Sequence, residues 1–278
     1  MSFPHRAPGS VEIPAEKLPQ PQPQKRTATL RIYLAAIALF SAAAALTIYY
    51  ARDMSGGMRM PGNWTMSMMW MMGRGPAAAL AFIGVWAIMM VAMMLPSTLP
   101  MLLLYRRVIV FRGERAPGAK MFLAGASYFA VWTLFGPAAY FAGTAVTRAA
   151  MISARISHLI PLATGTALIV AAAYQLTPVK STCLRHCRDP LSFAAEHLAA
   201  GWRGALRLGV HHGAFCAACC WGLMLIQLAL GVMSLPVMAG VAVLIALEKL
   251  APRGELLAKV IGAAAMVAGI VLVARALR

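Results

Sequence analysis

The sequence predicts an all-α protein, a polytopic transmembrane helical bundle of about seven spans. Two observations lead there. Of 278 residues, 61% are apolar and only 12% charged, giving a mean hydropathy of +0.73. The apolar residues fall in uncharged runs of about 20 or more, the length that crosses a bilayer as a helix. Such runs are too long for buried strands and lack the alternation of an outer-membrane barrel.

The uncharged stretches are 32–51, 75–105, 121–147, 156–179, 208–247 and 260–274. The fifth is too long for one helix, and Gly231-Val-Met-Ser-Leu-Pro236 interrupts it with turn-forming residues. The last reaches spanning length if Leu256 joins it and Lys259 snorkels to the interface. The expected spans are 32–50, 77–103, 121–146, 160–176, 207–230, 235–249 and 256–274.

A formal net charge of +17 raises the question of nucleic acid. The basic residues lie between the apolar runs, with no aromatic-basic recognition motif, so no nucleic-acid partner is expected. They follow membrane topology instead. With the N-terminus cytosolic, the inner segments hold 18 Lys and Arg, among them Arg106, Arg107, Lys180, Arg185, Arg188 and Lys249. The outer segments hold 7, from Arg52 to Arg278. The positive-inside rule selects this orientation, in a bacterial inner (cytoplasmic) membrane. Residues 1–29, rich in Pro and Gln, read as a disordered cytosolic tail and residues 30–278 as the bundle, with a Met-rich outer segment at 54–72. The tail lacks the apolar core of a signal peptide, so the first span reads as an uncleaved anchor.

Polar and soft side chains inside such spans are where function is sought. All five cysteines, Cys183, Cys187, Cys216, Cys219 and Cys220, fall on the cytosolic side or within a span, where thiols rather than disulfides are expected. Three occupy His211-His-Gly-Ala-Phe-Cys216-Ala-Ala-Cys219-Cys220-Trp. In a helix, His212, Cys216, Cys220 and Met224 form one stripe, with Cys219 one turn from Cys216. Either His211 or His212 can face the site. Counting from Arg207 puts Cys216 about 13 Å deep and Cys219 and Cys220 near the midplane. A single buried cysteine is normally a small hydrophobe. Three thiols with an imidazole at helical spacing are better read as ligands.

Cys183 and Cys187, four apart, can chelate one ion if their segment is helical. Met89, Met90, Met93 and Met94 form two i,i+4 pairs expected at the depth of Cys219 and Cys220, although Met also serves as pliable filler. The outer segment adds eight methionines between 54 and 72. Thiolate and thioether together favour copper, as Cu(I); zinc is a poorer fit because it rarely takes thioether. Scarce carboxylates argue against Mg, Ca and Mn, and no iron–sulfur ligand run is present. Glu248-Lys249 reads as an interfacial pair or as an acid neutralising a basic inner mouth.

Four blocks carry a family resemblance: Trp86-x-x-Met89-x-x-Ala92-Met-Met94-x-Pro96, Cys183-Leu-x-x-Cys187-Arg-x-Pro190, Gly213-x-x-Cys216-x-x-Cys219-Cys220-Trp221-x-Leu-Met224, and Glu248-Lys249 before Pro252. Across roughly residues 65 to 260 the chain resembles the DUF2182 family of predicted metal-binding integral membrane proteins. The resemblance implies metal binding of a copper-chaperone kind.

The expected function is Cu(I) trafficking, delivery or transport without catalysis, with the lipid bilayer and a metal-donor or metal-acceptor protein as partners. No nucleotide-binding loop accompanies it. Two other classes remain open: an intramembrane thiol–disulfide oxidoreductase using Cys216 and Cys219, and a scaffold whose cysteines only pack.

Overall fold

The computed structural model describes residues 23–54, 57–71, 73, 75–188 and 201–278. Of the expected tail, residues 1–22 lie outside the described residues, and helix α1 (Pro23–Asp53) begins directly after them. The chain separates into two units, one up to Leu39 and one from Phe40 to Arg278. In the first, α1 leaves Leu30, Leu34 and Ile37 exposed.

In the second unit a short hairpin pairs β1 (Gly57–Met60) with β2 (Trp64–Ser67), antiparallel, and a 3-10 turn follows at Met68–Met71. The bundle then comprises α2 (Pro76–Phe111), α3 (Pro117–Ile152), α4 (Ala154–Gln175), α5 (Pro178–Arg188), α6 (Gly201–Gly231), α7 (Leu235–Leu250) and α8 (Gly254–Ala276). Prolines in the first turns of α2, α3 and α7 sit where a missing N–H costs nothing. The interruption expected at 231–236 is present. Gly231 takes φ 130, a region open to glycine, and ends α6; Ser234 donates its N–H back to the Gly231 carbonyl before α7 starts.

Six of the described helices are long and apolar enough to cross a membrane: α1 (from Thr27), α2, α3, α4, α6 and α8. Expected span six, now α7, has only 16 residues. At about 1.5 Å per residue it covers roughly 24 Å, less than the hydrocarbon thickness of about 30 Å. By contrast α2 and α3, with 36 residues each, exceed it. The outward faces stay apolar, with Leu134, Phe141, Val170, Val243, Val260 and Val267 exposed. Water does not tolerate so continuous an apolar coat, whereas lipid does. The chain is a multi-pass membrane protein whose helices pack α4 on α8, α3 on both α2 and α6, and α7 on α2.

Small residues permit these approaches. Gly209 of α6 lies directly against the Ala124 carbonyl and Ser127 hydroxyl of α3, and Gly165 of α4 against Gly269 of α8. A β-carbon at Gly209 would overlap the Ala124 carbonyl, so Gly209→Ala should lower stability by about 1–3 kcal/mol through overpacking. The fall in melting temperature of the detergent-purified protein measures it.

Part of the Met-rich segment belongs to the packed fold. Trp64 donates through Nε1 to the Ser157 carbonyl at 3.0 Å, and Ser157 donates to the Pro61 carbonyl at 2.6 Å. This fastens the hairpin to the start of α4. Met54, Met66 and Met69 are thereby buried, while Met58 and Met68 remain exposed. An exposed methionine cluster was the expectation. The hairpin supplies the burial that could not be foreseen without it.

At the other end of the bundle Glu114, between α2 and α3, accepts from Lys120 Nζ at 2.7 Å and from the Gly201 N–H at 3.1 Å. The Lys120 ammonium, then the Gly201 amide, hold this carboxyl below the ordinary glutamate value. A depressed carboxylate adds stability above its unfolded value and loses it as pH falls through the folded one. Acidification should therefore loosen the start of α6, and Glu114→Gln should remove that step. Amide exchange at residues 201–207 across an acid titration reads it out.

Candidate metal centre

The thiols gather where α4 and α7 end, a region called the mouth below. Helix α6 carries Cys216, Cys219 and Cys220, all essentially fully buried. Each is presented by regular helix geometry, three or four residues from the next partner along one face. Pro178 starts α5 after the break at Leu176–Thr177, and this short helix lays Lys180, Leu184 and Cys187 inward at spacings of four and three. The Cys187 sulfur thus comes within 3.6 Å of Cys219 Sγ, which is itself 3.4 Å from Cys220 Sγ. The two cysteine groups, 29 residues or more apart in sequence between Cys187 and Cys216, meet in space. All five cysteines are free thiols. Cys183 is half-buried at the edge of the same core.

Cys216 has the densest polar surroundings. Lys249 donates from Nζ to its sulfur at 2.8 Å, and the Tyr128 hydroxyl lies 2.9 Å away. The Cys219 thiol donates to the Cys216 carbonyl at 3.3 Å. His212 is buried, with its ring 5.6 Å from that of Tyr128, so it is the histidine turned toward Cys216. His211 is half-buried and packs on Phe215, 4.9 Å between rings. That distinction, open from sequence, follows from the rotation of α6 against α3.

A second buried network lies beside the first. Lys180 donates to Glu248 Oε2 at 2.6 Å and to the Cys219 carbonyl; Gln175 donates to Glu248 Oε1 at 2.7 Å. Arg188 reaches the Glu248 carbonyl at 2.6 Å. Sequence reasoning left Glu248-Lys249 as an interfacial pair or as an acid neutralising basic residues. The structure removes the first reading, since both are buried and each is bound to a different partner, and agrees with the second, since Glu248 pairs with Lys180. Lys180 and Lys249 were counted merely as topology charges. The available signal was the scarcity of acids, since one of only eight Asp and Glu in the chain stands at a helix end in an apolar run.

The shared level expected for the thiols and the α2 thioethers needs correction. Cys216, Cys219 and Cys220 lie level with the ends of α4 and α7 and the start of α8, as the Gln175–Glu248 and Lys249–Cys216 contacts and the packing of Arg188 on Gly254 require. They lie midway along α6 but beside the ends of shorter helices, because α2, α3 and α6 continue as helix well past the point where α4 and α7 stop. Met89 is not at their level. It accepts from the buried Gln227 amide at 3.4 Å, seven residues and about 10 Å beyond Cys220 along α6. Met90, Met93, Met94 and Met224 are buried in the core cluster that also holds the thiols. The soft atoms therefore extend inward from the mouth rather than forming one layer.

Among the described residues, no three His, Cys, Asp or Glu side chains stand in an arrangement that could hold a metal ion. What the mouth offers is sulfur atoms in near contact with a lysine ammonium beside one of them. A family model described as a copper chaperone matches residues 83–272, about two thirds of the chain. The chain belongs to this copper-chaperone family, PpoB2. The matched stretch of this family member contains Met89 to Met94, the whole of α5 and α6, and Glu248-Lys249. It leaves out the hairpin and its methionines. No curated protein and no solved structure matches the chain.

The buried Lys180–Glu248 pair closes this mouth by tying α5 to α6 and α7. Removing one partner strands a charge, so Lys180→Met should destabilise by about 3–5 kcal/mol, whereas Lys180→Met with Glu248→Met should cost much less. Comparing thermal unfolding of the single and double variants decides it.

Proposed function

We propose that this membrane protein of the copper-chaperone family carries copper as Cu(I), receiving it at the thiol mouth and passing it to or from a partner protein. One observation bears most of the weight. Thiols from α5 and α6 converge in a single buried cluster with thioethers from α2 and α6, where hydrocarbon side chains alone would pack. Thiolate and thioether are the ligands that favour Cu(I) over zinc.

In this reading Cys216, Cys219 and Cys220 hold the ion, with His212 at the same mouth. Cys187, in contact with Cys219, exchanges it, and the half-buried Cys183 is the first thiol a donor or acceptor meets. Sulfur ligands at 3.4 to 3.6 Å separations permit stepwise exchange, one bond formed as another is lost. Met93, Met94 and Met224, then Met89 and Met90 beside Gln227, continue the soft lining away from the mouth. His211, packed against Phe215, serves the aromatic surroundings instead. The charge distribution puts this mouth on the cytosolic side of a bacterial inner membrane with the N-terminus in the cytosol. Carrying an ion requires no catalysis.

The test is metal analysis of anaerobically purified protein with a parallel count of free thiols. Wild type should retain about one Cu(I), and replacing Cys216, Cys219 and Cys220 with Ser should weaken Cu(I) about 100-fold or more in chelator competition, beyond what loss of an outer partner produces. Metal-free protein that cycles between dithiol and disulfide would point to the oxidoreductase reading instead.

A further inference from the structure

Gln227 is a polar side chain buried where leucine would pack at lower cost. From Gly222 to Leu230 it is the single residue of α6 that is neither apolar nor glycine. It is 0% exposed. Its Nε2 donates to the Met89 sulfur at 3.4 Å, and its Oε1 has no hydrogen-bond partner among the described residues. A thioether is a weak acceptor, and an unpaired buried carbonyl oxygen costs stability. Polar groups kept at such a cost in a membrane bundle usually face a site. Here the surroundings are thioethers. Met89 and Met90 are fully buried, and Met93 follows Met89 one turn along α2. Met224 stands three residues before Gln227, on the same face of α6. All four methionines belong to one core cluster.

We infer that Gln227 and Met89 form a second Cu(I) site, free of thiols and separate from the mouth. The inference rests on the Cu(I) reading above and deepens it. The donors are the Met89 sulfur and the Gln227 carbonyl oxygen. The last torsion of a glutamine is soft and two-fold, so a half-turn exchanges Nε2 and Oε1. Oε1 then faces the sulfur, and an ion between the two replaces the amide–thioether contact. Met93 and Met224 complete the soft surroundings. Both donors are neutral, so binding releases no proton and the ion keeps its charge. It is held more weakly here than by cysteine sulfur. Thioether still selects Cu(I) over zinc. The site lies seven residues and about 10 Å beyond Cys220 along α6. An ion bound there has left the mouth toward the Gly231 end of that helix.

The experiment is titration of full-length protein in lipid nanodiscs with Ag(I), a monovalent soft ion that stands in for Cu(I). Wild type should bind one ion tightly and a second more weakly. Replacing Cys216, Cys219 and Cys220 with Ser should remove the tight ion and keep the weaker one. Gln227→Leu and Met89→Leu should do the reverse, weakening the second ion by at least the roughly 10-fold that loss of an outer partner costs. Gln227→Leu should also leave the melting temperature unchanged or raised, because it removes an unpaired oxygen. Met238→Leu changes a buried methionine of the same cluster on α7 and should keep both ions. A fall in melting temperature in Gln227→Leu would assign the amide to packing and overturn the second site. So would a second ion that is absent from wild type, survives Gln227→Leu and Met89→Leu, or is lost in Met238→Leu or in the triple Ser variant. Each of these leaves the thiol mouth intact. Wild type that binds no Ag(I) overturns both.

Discussion

Two lysine side chains are buried where α4 and α7 end and α8 starts, and the arrangement of the mouth follows from the need to give them polar partners. A charge taken out of water costs several kcal/mol unless it is paired and hydrogen-bonded. Lys180 meets this by reaching across from α5 to Glu248 of α7 and to the Cys219 carbonyl of α6. Lys249 meets it by leaning on Cys216. These contacts determine where the thiols stand. Cys187 comes to Cys219 because Lys180, seven residues earlier on the same face of α5, is anchored there.

The short α7 is part of the same solution. A helix of full membrane length would carry its C-terminal residues past the level of Cys216. Instead α7 stops at Leu250, so that Glu248 and Lys249 lie beside α6 where the cysteines are. Arg188 then closes the gap, donating to the Glu248 and Pro252 carbonyls left open at the helix end. Gln175, at the end of α4, supplies the second donor to the Glu248 carboxylate. Three helix ends and one short helix together make a polar mouth on an otherwise apolar bundle.

The legible part of this was whatever periodicity and hydropathy encode. The apolar runs located the long helices but not their ends, which run well beyond several of the expected spans, and the break at Gly231–Pro236 was readable because glycine and proline constrain the backbone directly. The stripe of His212, Cys216 and Cys220 was readable because helical spacing is local. Depth was not. It depends on which helices outrun their neighbours, and an uncharged run marks where a helix is apolar, not where the bundle's middle falls. Burial of Met66 and Met69 depended on a hairpin held by Trp64 and Ser157, 93 residues apart. The roles of Lys180 and Lys249 were hidden because a lysine at the end of a span has the same appearance in sequence whether it faces lipid headgroups or a thiol.

The contact between Lys249 and Cys216 also bears on how the buried thiols are held. Lys249, with Nζ at 2.8 Å from the Cys216 sulfur, satisfies that atom from within the bundle. Tyr128, at 2.9 Å, adds a group that can donate or accept at the same sulfur. The residues that hold these helices together are therefore the ones that surround the sulfur, so a change at Lys249 or Tyr128 alters helix packing and the setting of Cys216 together.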